Sequence, residues 1–111
     1  MDTPDIQIVL TPALLRDLMD SITIALHHGI KDAVKPRLNQ WHFYCGGRKI
    51  QPHMTFTFSA RLLRDILDAV SIAISRDDLE RASRVRLLEW KEATAILLPP
   101  EPVQRQTKMR I

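Results

Sequence analysis

Two short stretches of the chain alternate apolar and polar residues, and each runs into a longer stretch with an apolar residue at every third or fourth position. In Ile6-Gln7-Ile8-Val9-Leu10, residues 6, 8 and 10 fall on one side of an extended segment and Gln7 and Val9 on the other. Met54-Thr55-Phe56-Thr57-Phe58 repeats the arrangement, with Thr55 and Thr57 outward. Alternation of this kind predicts two half-buried strands. Thr11 and Ser59 then offer hydroxyls suited to capping a helix, and Pro12 suits a first helical turn. Leu14, Leu15, Leu18, Ile22 and Ala25 make one wide apolar face and Leu62, Leu63, Ile66, Val70 and Ala73 another, so an amphipathic helix is predicted after each strand.

The two stretches are copies. Sliding the chain by 48 residues sets residues 11–26 on residues 59–74 with seven of the sixteen pairs identical, including Leu14/Leu62, Arg16/Arg64, Asp17/Asp65 and Asp20/Asp68. Unrelated segments of ordinary composition would share roughly one. A further one-residue shift places Arg37-Leu38-Asn39-Gln40-Trp41 on Arg86-Leu87-Leu88-Glu89-Trp90. The expected organisation is one duplicated α+β domain over residues 1–98, with repeat one near 4–45, repeat two near 52–98, and a Pro-rich then basic tail over 99–111. Two fused copies pack most simply about a pseudo-twofold axis, as the subunits of a symmetric dimer do. Recurring Trp41 and Trp90 suit packing in each half. The i,i+4 spacing of Arg16 with Asp20 and of Arg64 with Asp68 suits solvated helix faces, to which Asp17 and Asp65 are also assigned.

The segments after the helices read two ways. Gly29 is a natural stop for the first helix, and Pro36 argues against one helix through 31–41 unless it begins a new one. Trp41-His42-Phe43-Tyr44-Cys45 before Gly46-Gly47 reads better as a strand entering a turn. Residues 78–93 read equally well as a helix, with Ala95-Ile96-Leu97-Leu98 as its end or as a short strand. If both segments are helical, the order strand, helix, helix in duplicate resembles two ribbon-helix-helix units in one chain. That resemblance is carried by Ile8-Val9-Leu10-Thr11-Pro12-Ala13-Leu14-Leu15, the His28-Gly29-Ile30 turn, Phe58-Ser59-Ala60-Arg61-Leu62-Leu63 and Ile74-Ser75-Arg76-Asp77-Asp78-Leu79. It implies paired strands entering the DNA major groove, with Gln7, Val9, Thr55 and Thr57 as base readers and the start of each second helix on a phosphate. If the segments are strands, the order becomes ferredoxin-like βαββαβ and is similar to the duplicated tautomerase fold, through Gly46-Gly47 before Pro52 and Val85-Arg86-Leu87. The tautomerase resemblance implies an N-terminal proline amine as base. Pro4 is internal, an amide nitrogen without a basic lone pair unless the three residues before it are removed, so no enzymatic activity is expected and a tautomerase-like enzyme, which requires a chain starting at Pro4, stands third among the readings.

Composition changes this picture only through charge. The 111 residues carry a net charge of +3, which permits attraction to nucleic acid without demanding it. The cations cluster. Lys31, Lys35, Arg37, Arg48 and Lys49 face only Asp32 over residues 31–49, and Arg105, Lys108 and Arg110 lie in the tail. Lys35 with Arg37 recurs as Arg84 with Arg86, giving two basic patches that suit phosphates or an acidic partner. His27, His28, His42, Cys45 and His53 have poor metal spacing, since a strand would turn residues 42 and 45 to opposite sides; no metal or other cofactor is expected. One cysteine gives no internal disulfide, and the acidic start with no long apolar run suggests a cytoplasmic protein without a membrane partner. The function expected is a small non-enzymatic nucleic-acid-binding regulator contacting its target through Gln7, Thr55, Thr57, Lys35, Arg37, Arg84, Arg86, Arg48 and Lys49. The alternative is a protein-interaction module, an inhibitor or assembly subunit, using an open sheet face or the tail; a homo-oligomer is compatible with either.

Overall fold

A computed structural model describes residues 5–47 and 54–98. The order is β1 (Ile6–Leu10), α1 (Pro12–His27), α2 (Lys35–Gly46), β2 (Met54–Phe58), α3 (Ala60–Ile74) and α4 (Arg81–Ala95). The described residues thus form a small α+β domain of four helices and one two-stranded antiparallel sheet. Within it, Leu10, Met54, Phe56 and Phe58 are buried while Gln7, Val9, Thr55 and Thr57 are exposed, so one face of the ribbon closes the core and the other is open. The capping expectation is met in both copies. The Thr11 hydroxyl accepts from the Leu14 amide at 3.2 Å and the Ser59 hydroxyl from the Leu62 amide at 3.1 Å, each satisfying a donor that the helix cannot.

The segment around Trp41–Cys45 is helical, which corrects its assignment as a strand. Pro36 stands in the first turn of α2, where its missing N–H is not required. Val34, Leu38, Trp41 and Cys45 are buried at helical spacing, and Ser83, Leu87, Trp90 and Thr94 are their buried equivalents on α4. Residues 95–98 complete the end of α4 and its turn, not a further strand. Helix therefore occupies both segments that the βαββαβ order requires as strands.

The α1 turn is made by glycine. Gly29 has φ of 112°, and the Ile30 amide reaches back to the Ala25 carbonyl at 3.3 Å while Ile30 itself is buried, a Schellman end. The second copy has Ser75 in right-handed geometry instead, and the Arg84 guanidinium donates to the Arg76 carbonyl at 2.7 Å, satisfying an acceptor at that helix end. One core joins the halves: Leu15, Leu18 and Ile22 of α1 and Leu63, Ile66 and Val70 of α3 belong to a single buried cluster, with α1 and α3 in the most extensive helix contact.

Candidate functional site

The ribbon is the best-defined surface feature. Ile8 pairs with Phe56, Gln7 with Thr57 and Val9 with Thr55. Ile8 and Phe56 are equivalent in the duplication, so a half-turn between them exchanges the strands. Gln7, Val9, Thr55 and Thr57 consequently form one outward quartet around that centre. The inner face is anchored by an aromatic cluster in which Trp41 of α2 lies 5.9 Å from Phe56 and 5.8 Å from Phe58, ring centre to ring centre. A helix of the first copy thereby packs on the strand of the second.

The same exchange governs the charges. Arg37 Nε donates to Asp65 Oδ2 at 2.6 Å, and Arg86 Nε donates to Asp17 Oδ2 at 2.6 Å with a second bond, from Nη2 to Asp17 Oδ1, at 3.3 Å. Each arginine of one copy grips the equivalent carboxylate of the other. Asp17 and Asp65 are buried, which corrects their assignment to solvated helix faces. A buried carboxylate is tolerated because a cation and hydrogen bonds compensate for lost water. Hydrogen bonds to these carboxylates, opposed by desolvation and aided by their charge, raise both guanidinium pKa values above the ordinary range. The pairing thus favours the charged form of both guanidinium groups.

The other recurring cations also have partners inside the chain. Lys35 Nζ lies 3.0 Å from Asp32 Oδ1, and Arg84 lies 3.6 Å from Asp77 besides its bond to the Arg76 carbonyl. The four side chains grouped as two basic patches are thus spent on internal partners to different degrees: Arg37 and Arg86 on buried carboxylates, Lys35 and Arg84 on exposed ones. Arg48 and Lys49, and Arg105, Lys108 and Arg110 of the tail, lie outside the described residues. Lys31, Arg61 and Arg81 are exposed, the first in the α1–α2 turn and the others in the first turns of α3 and α4. Sequence reasoning missed Arg61, since its equivalent is Ala13 and a search for recurring cations passes over it.

Four clefts line up in equivalent pairs. One of about 380 Å³ is lined by Arg37, Gln40, Trp41 and Tyr44 against Ser59 and Leu62; its counterpart of about 300 Å³ is lined by Arg86, Glu89 and Trp90 against Thr11 and Leu14. Leu14 and Leu62 therefore sit in matching surroundings, each beside the second helix of the other copy. The second pair sets Gly29, Ile30, Lys31 and Val34 against Asp68, Ser71 and Ile72, and Asp78, Leu79, Glu80 and Ser83 against Asp20, Thr23 and Ile24. Here frames agree and charges do not: Glu80 stands where Lys31 does, and Asp78 where Gly29 does. His42 Nε2 meets the Thr23 hydroxyl at 3.2 Å and Cys45 is buried, and among the described residues no three His, Cys, Asp or Glu side chains cluster as a metal site would require. No described helix is long and apolar enough to cross a membrane.

Comparison with protein-family models, with curated proteins and with solved structures found no match to this chain.

Proposed function

We propose that the protein is a non-enzymatic DNA-binding regulator, built as two ribbon-helix-helix units in one chain, that lays its ribbon in the major groove of a duplex. The observation that carries this is the open quartet Gln7, Val9, Thr55 and Thr57 on an antiparallel ribbon whose other face is core. Strand, helix, helix in duplicate with the strands paired antiparallel is the order the resemblance requires. B-DNA's major groove is about 12 Å wide and admits a two-stranded ribbon, and glutamine and threonine are suited to hydrogen-bonding base edges there. The reciprocal arginine–aspartate pairs fit a pseudo-dimer whose halves must hold a fixed register so that their readers meet neighbouring bases. Phosphate contacts fall to the exposed cations, with Lys31 in the turn that leads into α2 as the best placed in the first repeat.

Fluorescence anisotropy with mixed-sequence duplex DNA tests this. Binding should be strongest at the lowest salt and weaken along a straight line of log affinity against log salt. Replacing Gln7, Val9, Thr55 and Thr57 together with alanine should remove sequence preference while leaving the salt slope, because base contacts discriminate and phosphate contacts carry the slope. Absence of measurable binding even at low salt would overturn the proposal.

A second reading, a protein-interaction module, is favoured by apolar side chains on the outer helices: Val85 and Leu88 on one face of α4, Ile96 and Leu97 beyond it, and Phe43 on α2, 84% exposed. Its signature is a salt-insensitive complex with a protein partner that is lost when residues 99–111 are removed.

A further inference from the structure

We infer that the duplex read by this ribbon is a non-palindromic site, in which Gln7 and Val9 select an A·T-containing half-site and Thr55 and Thr57 read the other half less stringently; this rests on the DNA-binding function proposed above. A homodimer places identical readers on both sides of its axis, and its target mirrors that symmetry as a palindrome. Here the frame retains equivalence while the reading positions have diverged. Gln7 corresponds to Thr55 and Val9 to Thr57, and all four are exposed, so no packing demand accounts for the difference. The chemistry of the two halves is unlike. A glutamine amide offers a donor and an acceptor that pair together with adenine N7 and N6, and a valine methyl group suits the thymine methyl; a threonine hydroxyl bonds any of several base atoms.

Charge elsewhere on the frame departs from symmetry in the same way. Arg61 is exposed in the turn of helix that directly follows β2, where the first copy has Ala13. Lys31 stands in the α1–α2 turn where the second copy has Glu80 at the start of α4. A polyanion laid along this frame meets a cation at one member of each equivalent pair and none at the other. Fusing two copies into one chain is what permits such divergence, because a homodimer cannot change one half alone.

The test is selection of bound duplexes from a random pool by the full chain, followed by anisotropy on the enriched sequence. The expected result is a motif without inverted-repeat symmetry, with an adenine in one half-site whose replacement weakens binding roughly 5- to 150-fold. The double substitution Thr55→Gln with Thr57→Val makes the ribbon self-equivalent at exposed positions and should convert the enriched motif into an inverted repeat of the adenine-containing half. Arg61→Ala should lower the salt slope by about one without altering the motif. A palindromic motif for the unaltered chain, or binding without preference, overturns the inference while leaving DNA binding intact. Failure to bind any duplex at low salt refutes the function itself and the inference with it.

Discussion

Leu38 and Leu87 occupy equivalent positions on α2 and α4, and both are fully buried in the shared core. Truncating either to alanine removes three carbons from a packed interior, worth about 2.4 kcal/mol at roughly 0.8 kcal/mol per methylene. The cavity left behind adds to this, so about 3 kcal/mol is expected for each. Against the ordinary stability of a small domain, about 5–15 kcal/mol, that is a large fraction. In urea, with a slope of about 1–3 kcal/mol/M, the midpoint should fall by roughly 1–3 M. The chain supplies its own probes. Trp41 and Trp90 are buried at equivalent places, each beside residues of the other copy, so Trp41→Phe and Trp90→Phe backgrounds report two separate regions of the core. Trp90 Nε1 has no hydrogen-bond partner among the described residues, so its loss removes a buried unpaired donor and should be mild. Leu38→Ala and Leu87→Ala should shift the transition by similar amounts, and both fluorescence probes should move together whichever half carries the cavity. A cost near 3 kcal/mol at one position with almost none at the other, or separate midpoints for the two indoles, would refute the shared, equivalent core.

Other substitutions probe single features. Asp17→Ala and Arg86→Ala should each destabilise the fold, and the double variant should cost less than their sum, since the second change removes an already unpaired group; strict additivity in a chemical-denaturation cycle would deny the contact. Thr11→Ala and Ser59→Ala should each cost about 1 kcal/mol through loss of a helix cap, measured by thermal melting, and a null effect at both would contradict the capping geometry. Gly29→Ala should cost about 1 kcal/mol from backbone strain at φ of 112°, because the space around it is open and a methyl group meets nothing there. An unchanged melting temperature would place Gly29 in a different conformation.

The strands, α1 and α3 were legible because their signals are local and occur twice: alternation, a capping hydroxyl, then an apolar stripe. Misassignment of residues 41–45 has a physical cause. Trp41, Phe43 and Tyr44 favour strands intrinsically, and the exposed Phe43 and Tyr44 blur the helical stripe that Val34, Leu38, Trp41 and Cys45 make. Aligning that stripe with Ser83, Leu87, Trp90 and Thr94 would have exposed the common period, since strands cannot bury every third or fourth residue. Asp17 and Asp65 were hidden by their neighbours. Set among Arg16, Asp20, Arg64 and Asp68, they look like members of a solvated ladder, and nothing local announces that their partners lie on α4 and α2 of the other copy. The recurrence of Arg37 and Arg86 was visible, but repeated cations read equally as surface patches. Their partners become evident only when the halves are brought together. The open quartet on the ribbon, in contrast, follows from alternation alone and is where the structure puts it.

The most direct measurement is a titration of the isotopically labelled full chain with duplex DNA at low salt, followed by amide chemical shifts. Gln7, Val9, Thr55 and Thr57 should move together at the lowest DNA ratios, while buried Leu18 and Ile66 at the α1–α3 centre hold their positions. Shifts confined to the outer face of α4, with the ribbon undisturbed, would contradict the assignment of the ribbon as the functional surface.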